Sequence, residues 1–277
     1  MNMKMYVITH KRTAIPELLS YVPMLVGARL NGLGSEFTCR DDEGDNISAK
    51  NKNYCELTGV YWVWKHSTAD VVGICHYRRF FSRRLVNTDS VFFLQTEDVD
   101  RILSRYRMIV PISRCYAKSI IRSINYAPNL EDIKELFEGI RMCAPEYISD
   151  FLWYLQQNKA HLYNMCVMKQ KDFSAYCEWL FKILAYVEAH HDMEKETDDY
   201  RKRLYGFLSE RLISVWLHHN VSKDEIKEIP VVNTEETAGA RIRHILGNFL
   251  RNISFHLQKN RKTVHIEEKS LLEAIAD

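Results

Sequence analysis

The densest group of reactive side chains lies between Asp41 and Phe81. Within it an apolar run, Val71-Val72-Gly73-Ile74-Cys75, ends in His76-Tyr77-Arg78-Arg79. A short continuous apolar run bounded by polar residues predicts a strand buried on both faces, as in a parallel sheet. In open α/β sheets, ligands sit beyond the carboxyl ends of such strands. An arginine fork matches phosphate oxygens in pairs, and His76 can donate a hydrogen bond or act as a base. Adjacent arginines on an extended chain point to opposite sides, so at most one of Arg78 and Arg79 faces a given ligand. The cluster reads as an anion or diphosphate site, and a surface ion-pair patch is the plainer reading of the same residues.

Several elements must position this cluster. Upstream, Glu56 to Lys65 predicts a helix with Leu57, Val60 and Trp64 on one face and Tyr61 and Trp62 to the side. The preceding loop, Asp41 to Asn53, is built of turn formers. Its Asp41, Asp42 and Asp45 have the chemistry to hold a metal or a sugar hydroxyl, or to form a solvated turn. At the N-terminus, Met3 to Ile8 predicts a first strand ending in Thr9-His10-Lys11, where nucleotide-binding α/β folds begin. Gly32 and Gly34 lack the spacing of a dinucleotide fingerprint.

The run N-I-S-x-K-N-x-x-Y-C-E-L-T-x-x-Y-W-x-W-K, at Asn46 to Lys65, precedes V-G-I-C-H-Y-R-R-F-F, at Val72 to Phe81. Two further blocks begin at Tyr163 (YNMCVMKQKDFSAYCEWLFKIL) and Gly206 (GFLSERLISVW). Together the four blocks resemble a bacterial family that is carried as a domain of unknown function and read as glycosyltransferases of capsule, exopolysaccharide and O-antigen clusters. The resemblance covers Met3 to Val232. It implies a single α/β domain of the GT-A, nucleotide-diphospho-sugar type over residues 1–234. A mixed, mainly parallel sheet flanked by helices is expected there, followed by a basic amphipathic helical tail over 235–277.

The implied activity is transfer of a hexose, galactofuranose among the candidates, from a UDP-sugar-type donor to a hydroxyl of a surface glycan. A non-catalytic glycan-binding or assembly protein is the alternative. Donor contacts are expected from Thr9, His10, Lys11, Lys50, Asn51, His76, Tyr77, Arg78, Arg79 and Asn164. Acceptor contacts are expected from Glu56, Tyr61 and Arg211. The catalytic base implied by the resemblance is Glu210, near the start of a late helix, with Asp41 or Asp42 as its rival and His76 as a further candidate. An equal alternative has Glu210 paired with Arg203 or Arg211 to hold its loop. GT-A enzymes commonly clamp the diphosphate with an Asp-x-Asp motif and a divalent metal. Here Asp98 and Asp100 fit those letters, but on a predicted helix. No metal is therefore expected, with Arg78 or Arg79 in its place, and Mn2+ or Mg2+ on Asp41, Asp42 or Asp45 is the alternative.

The chain has 277 residues, 46% hydrophobic and 27% charged, enough for one large α/β core or two small ones. A net charge of +2 argues against a dedicated nucleic-acid binder. Seven cysteines without CxxC spacing, and no leader segment, point to reduced thiols in the cytoplasm, with Cys55, Cys75, Cys166 and Cys177 as core residues. No run reaches the roughly 18 apolar residues of a membrane span.

Further along, Thr96 to Arg105 predicts a helix and Met108 to Ile112 a strand. Ser113 to Pro128 reads as a mobile loop beside the site or a solvated connector, and Asn129 caps a helix to Arg141. His161 to Met168 predicts a strand interrupted by Asn164, a polar residue that needs partners there. Long helices follow over Phe173 to His190 and from Gly206, then a strand over Ile226 to Val232. Ala238 to Lys262 carries six Lys or Arg and no acid around an apolar stripe. Such a helix suits the inner face of a membrane or a partner, and equally a surface of its own domain.

Overall fold

A computed structural model of the chain describes residues 2–276. The strands are β1 (Met3–Thr9), β2 (Tyr21–Leu25), β3 (Cys39–Arg40), β4 (Val71–His76), β5 (Arg79–Phe81), β6 (Met108–Pro111), β7 (Arg114–Cys115), β8 (Lys159–Ala160), β9 (Cys166–Lys169), β10 (Ile226–Ile229) and β11 (Val231–Asn233). The helices are α1 (Asn51–Tyr54), α2 (Leu57–His66), α3 (Thr96–Leu103), α4 (Leu130–Cys143), α5 (Ile148–Gln156), α6 (Gln170–His190), α7 (Leu204–Asn220), α8 (Ala238–Lys259) and α9 (Lys262–Ala276).

The chain divides into two compact units. The first runs to Ile112 and adds Tyr163–Glu178 and Val221–Arg241; the second holds Ser113–Leu162, Trp179–Asn220 and the residues from Ile242 onward. The first unit contains a sheet in the order β10-β6-β9-β4-β1-β2-β3, with β5 and β11 added beyond β4. β1 runs parallel to both β2 and β4, and β9 runs antiparallel to β4 and β6. The sheet is thus mixed and mainly parallel, as expected. Its order reverses at β1: the chain steps outward to β2 and β3, then returns to place β4 on the other side.

Alternation explains how the sheet is buried. Met3, Met5 and Val7 of β1 enter a core with Tyr21, Cys75, Val167 and the stacked pair Phe80–Phe93, whose ring centroids are 4.6 Å apart. Ile8 points to the other face, where α2 approaches so closely that a Cβ on Gly59 would lie 2.7 Å from Val26 Cγ1. Only glycine permits that approach at this point of the helix.

β2 carries a proline, Pro23, which ordinarily argues against a strand in the interior of a sheet. β3 reaches only Met24 and Leu25, so Pro23 sits where that flank is unpaired. The strand expected over Ile226 to Val232 is divided at Pro230 into β10, beside β6, and β11, beside β5.

In the second unit α4 is capped by Asn129, whose side chain accepts from Asp132 N while Asp132 accepts from Asn129 N. The segment after Ser113 is tied down rather than free. β7 pairs with β8, Ser119, Ile120 and Ile121 are buried, and Arg122 forms an ion pair with Glu267 of α9 at 2.8 Å.

Candidate functional site

The carboxyl ends of β1 and β4 lie side by side, with Ile8 opposite His76 and Tyr77 N donating to Ile8 O at 3.0 Å. This is the place where the sheet order reverses, and crevices for ligands form at such points. β1 ends in Thr9, which is buried. Its hydroxyl donates to Lys11 O at 2.7 Å and accepts from Lys11 N, folding His10 and Lys11 outward over the strand end.

β4 does not simply run out into a loop. His76 pairs with Arg79, so Tyr77 and Arg78 form the two-residue tip of a tight hairpin into β5. The tip gathers the basic residues. The Tyr77 ring meets His10 edge-on at 5.6 Å, and Lys11 Nζ lies 4.7 Å from its centroid. Arg78 lies 5.5 Å from the same ring. Its Nη1 donates to Glu235 at 3.0 Å, and Glu235 also pairs with Lys11 at 3.6 Å. Arg78, with Lys11 beside it, holds the Glu235 carboxyl below the usual range. Glu235 thus closes a cation pair at the crevice. Sequence reasoning missed it, and the one signal was an acidic Glu235-Glu236 step just after the last strand.

Arg79 points elsewhere, as expected for an adjacent residue. Its guanidinium lies 4.6 Å from the Tyr163 ring. Tyr163 and Asn164 both have left-handed backbone, at φ 77° and 50°. Asn164 therefore stands in a turn before β9, not inside the strand. Its Nδ2 donates to Glu56 Oε1 at 2.7 Å, which joins two residues the sequence offered separately. Glu56 immediately precedes α2, next to Cys55, whose φ is 53°. Asn51 supports that backbone, its Nδ2 donating to Cys55 O at 2.7 Å and to Thr58 Oγ1 at 2.9 Å.

His76 itself is half-buried, yet its Nε2 is enclosed and without a hydrogen-bond partner. Burial, with Arg79 and Arg78 beside it, pushes the imidazole down to about 3. It is therefore neutral near pH 7 and too weak a base to take a proton from a hydroxyl. This enclosure disfavours the expected role of His76 as a catalytic base.

The loop acids take structural roles. Asp41 is fully buried, accepting from Gly27 N at 2.8 Å, Ala28 N at 3.0 Å and Ser48 Oγ at 2.5 Å. With its oxygens engaged it is a poor candidate base. Asp42 binds Arg40 at 2.9 Å, and Asp45 accepts from the Tyr61 hydroxyl at 3.0 Å. The three carboxylates are thus committed to separate partners, and no group of three or more His, Cys, Asp or Glu able to hold a metal occurs among the described residues. Tyr61 and Trp62, which donates to Glu43 O at 3.0 Å, hold this loop against α2. Lys50 is exposed in the same loop, with its Nζ 5.9 Å from the Tyr54 ring.

Glu210 and Arg211 belong to the second unit. α7 begins at Leu204, so Glu210 is its seventh residue, past the first turn where the helix dipole favours a carboxylate. Arg211 donates to the Tyr116 hydroxyl at 3.4 Å. Burial pushes the enclosed Tyr154 phenol up to about 12, against the lowering effect of the Arg211 charge.

A sequence model of a family described as a domain of unknown function, DUF4422, matches residues 4–221. No curated protein matches the chain. Among solved structures, the apo form of a WbbM bifunctional glycosyltransferase is similar, with a TM-score of 0.71 and 26% identity over 85% of this chain. The likeness spans 46% of the WbbM chain, less than half its length. The fold is GT-A-like, an α/β sheet flanked by helices with further helices at the C-terminus.

Proposed function

We propose, from the premise that this chain belongs to the DUF4422 family, that it is a glycosyltransferase using a nucleotide-diphospho-sugar donor. The observation that carries this reading is the cationic pair Lys11–Arg78, stacked on Tyr77 at the point where the sheet order reverses. The likeness to the WbbM glycosyltransferase supports it. The donor is a UDP-hexose, and the acceptor is a hydroxyl of a surface glycan.

In this reading Lys11 and Arg78 neutralise the leaving diphosphate, displacing Glu235, and charge on the protein does the work that a divalent metal does elsewhere. His76 Nε2, neutral and otherwise without a partner, bonds a polar atom of the donor. Glu56, oriented by Asn164, takes the acceptor proton. As the acceptor oxygen forms its bond to the anomeric carbon, the carbon–oxygen bond to the diphosphate breaks and the diphosphate leaves with that electron pair.

The test is a thermal-shift titration with UDP, GDP, CMP and dTDP, each with EDTA and with manganese. A UDP shift that survives EDTA and disappears in Arg78→Ala is the expected result. Strict dependence on manganese would overturn the metal-free clamp, and no shift with any nucleotide would overturn the donor reading. For the base, Glu56→Gln is expected to bind UDP normally and lose turnover. Full turnover in that variant, with loss in Glu210→Gln, would move the base to Glu210.

A further inference from the structure

The family match ends at residue 221, and α8 lies beyond it. This helix packs inside out. The side facing the second unit is largely polar. Asn248 accepts from Cys115 N at 2.6 Å and donates to Ser113 O at 3.1 Å, and Arg251 Nε donates to Cys115 O at 2.7 Å. Asn252 accepts from Asn158 at 3.1 Å, and Phe255 is the buried apolar contact on this side. The opposite side carries Ile242, Leu246, Phe249, Leu250, Ile253 and Leu257, all at helical spacing and between 40% and 74% exposed. Soluble helices ordinarily bury such a stripe, and a contiguous apolar patch left outside marks an interaction surface.

Charge identifies what covers it. Residues 238–262 hold six of the 38 Lys and Arg and none of the 36 acids, so the rest of the chain is net negative and this stretch is a local cationic surface. Arg243, Lys259, Arg261 and Lys262 are exposed. Pairing of two such helices in a second copy would bring like charges together around the apolar seam. No helix among the described residues is long and apolar enough to cross a bilayer.

We propose that α8 lies flat on the surface of a membrane containing acidic phospholipid, its apolar stripe at the acyl boundary and its cations at the headgroups. At 22 residues the helix offers a contact roughly 33 Å long. The inference does not depend on the donor site.

The experiment is flotation of the full chain with vesicles of phosphatidylcholine, with and without phosphatidylglycerol. Strong partitioning onto the anionic vesicles, weakened by salt, is expected. The double variant Phe249→Glu/Leu250→Glu is expected to lose at least about tenfold in partitioning. Removing Arg243 is expected to cost about fivefold. Because these side chains are exposed, the variants should keep the wild-type melting temperature and nucleotide shift, which separates this test from that of the donor site. Absence of binding to anionic vesicles, equal binding to neutral ones, or undiminished binding by the double variant would overturn the proposal. So would a dimer, seen by light scattering without lipid, that the double variant dissolves, since the stripe would then belong to a second copy.

Discussion

Glu235 pairs with both Lys11 and Arg78, between which the proposed function seats the diphosphate. Both ion pairs are substantially exposed, and solvent screening leaves such pairs contributing little to stability. Glu235→Gln is therefore expected to tighten UDP binding about two- to fivefold, measured by calorimetry, with little change in stability. A weakened affinity would mean that Glu235 contacts the ligand rather than yielding to it. His76 makes a pH prediction. Its folded-state pKa of about 3 lies below the unfolded value of 6.5, so the unfolded chain binds the proton more readily. The stabilising difference is present above pH 6.5 and is lost progressively as pH falls toward 3. The melting temperature is expected to drop between pH 7 and 5, and His76→Gln to flatten that drop. An unchanged slope would show that the imidazole is not held neutral.

At the scale of elements, the approach of α2 to the sheet is set by Gly59. A methyl group there meets Val26, a branched side chain in a packed core with little room to turn away. Gly59→Ala is therefore expected to destabilise by about 1–3 kcal/mol despite alanine's better helix propensity, read as a lower midpoint in urea. A stabilised variant would mean that α2 and β2 separate freely. Legibility differs sharply between elements. β4 was plain, because an unbroken apolar run with a polar end has few other homes. β2 was hidden by Pro23, which is tolerated because β3 is only two residues long. Asn164 was recognised as a polar residue needing partners, but its left-handed backbone and its bond to Glu56, 108 positions away, leave no mark on local periodicity.

At the scale of the whole molecule, the last helix is part of a core. Val264 and Ile275 of α9 are buried, α9 contacts α4, and Glu267 engages Arg122. Ile275→Ala is expected to cost about 2–4 kcal/mol through the cavity it leaves. A midpoint unchanged within error would instead make α9 dispensable to the second unit. α8 shows the opposite arrangement, with its polar side inward and its apolar side outward.

By itself the sequence determined the α/β class, the buried β4 with its basic end, the capped and amphipathic helices, and the cationic tail. Each of these follows from interactions within a few residues: alternation, 3.6-residue periodicity, turn chemistry and local charge. Only the tertiary structure decided which ends meet. It closed the hairpin that turns Arg78 toward Lys11 and Arg79 toward Tyr163. It spent Asp41 on the Gly27–Ala28 turn, deprived His76 of basicity by enclosing it, and brought Glu56 to Asn164. It also chose which side of α8 faces inward, because Asn248 and Arg251 satisfy the backbone groups of Ser113 and Cys115 there. Such choices rest on partners far apart in the chain, and burial and hydrogen-bond satisfaction are properties of the assembled neighbourhood rather than of any residue alone.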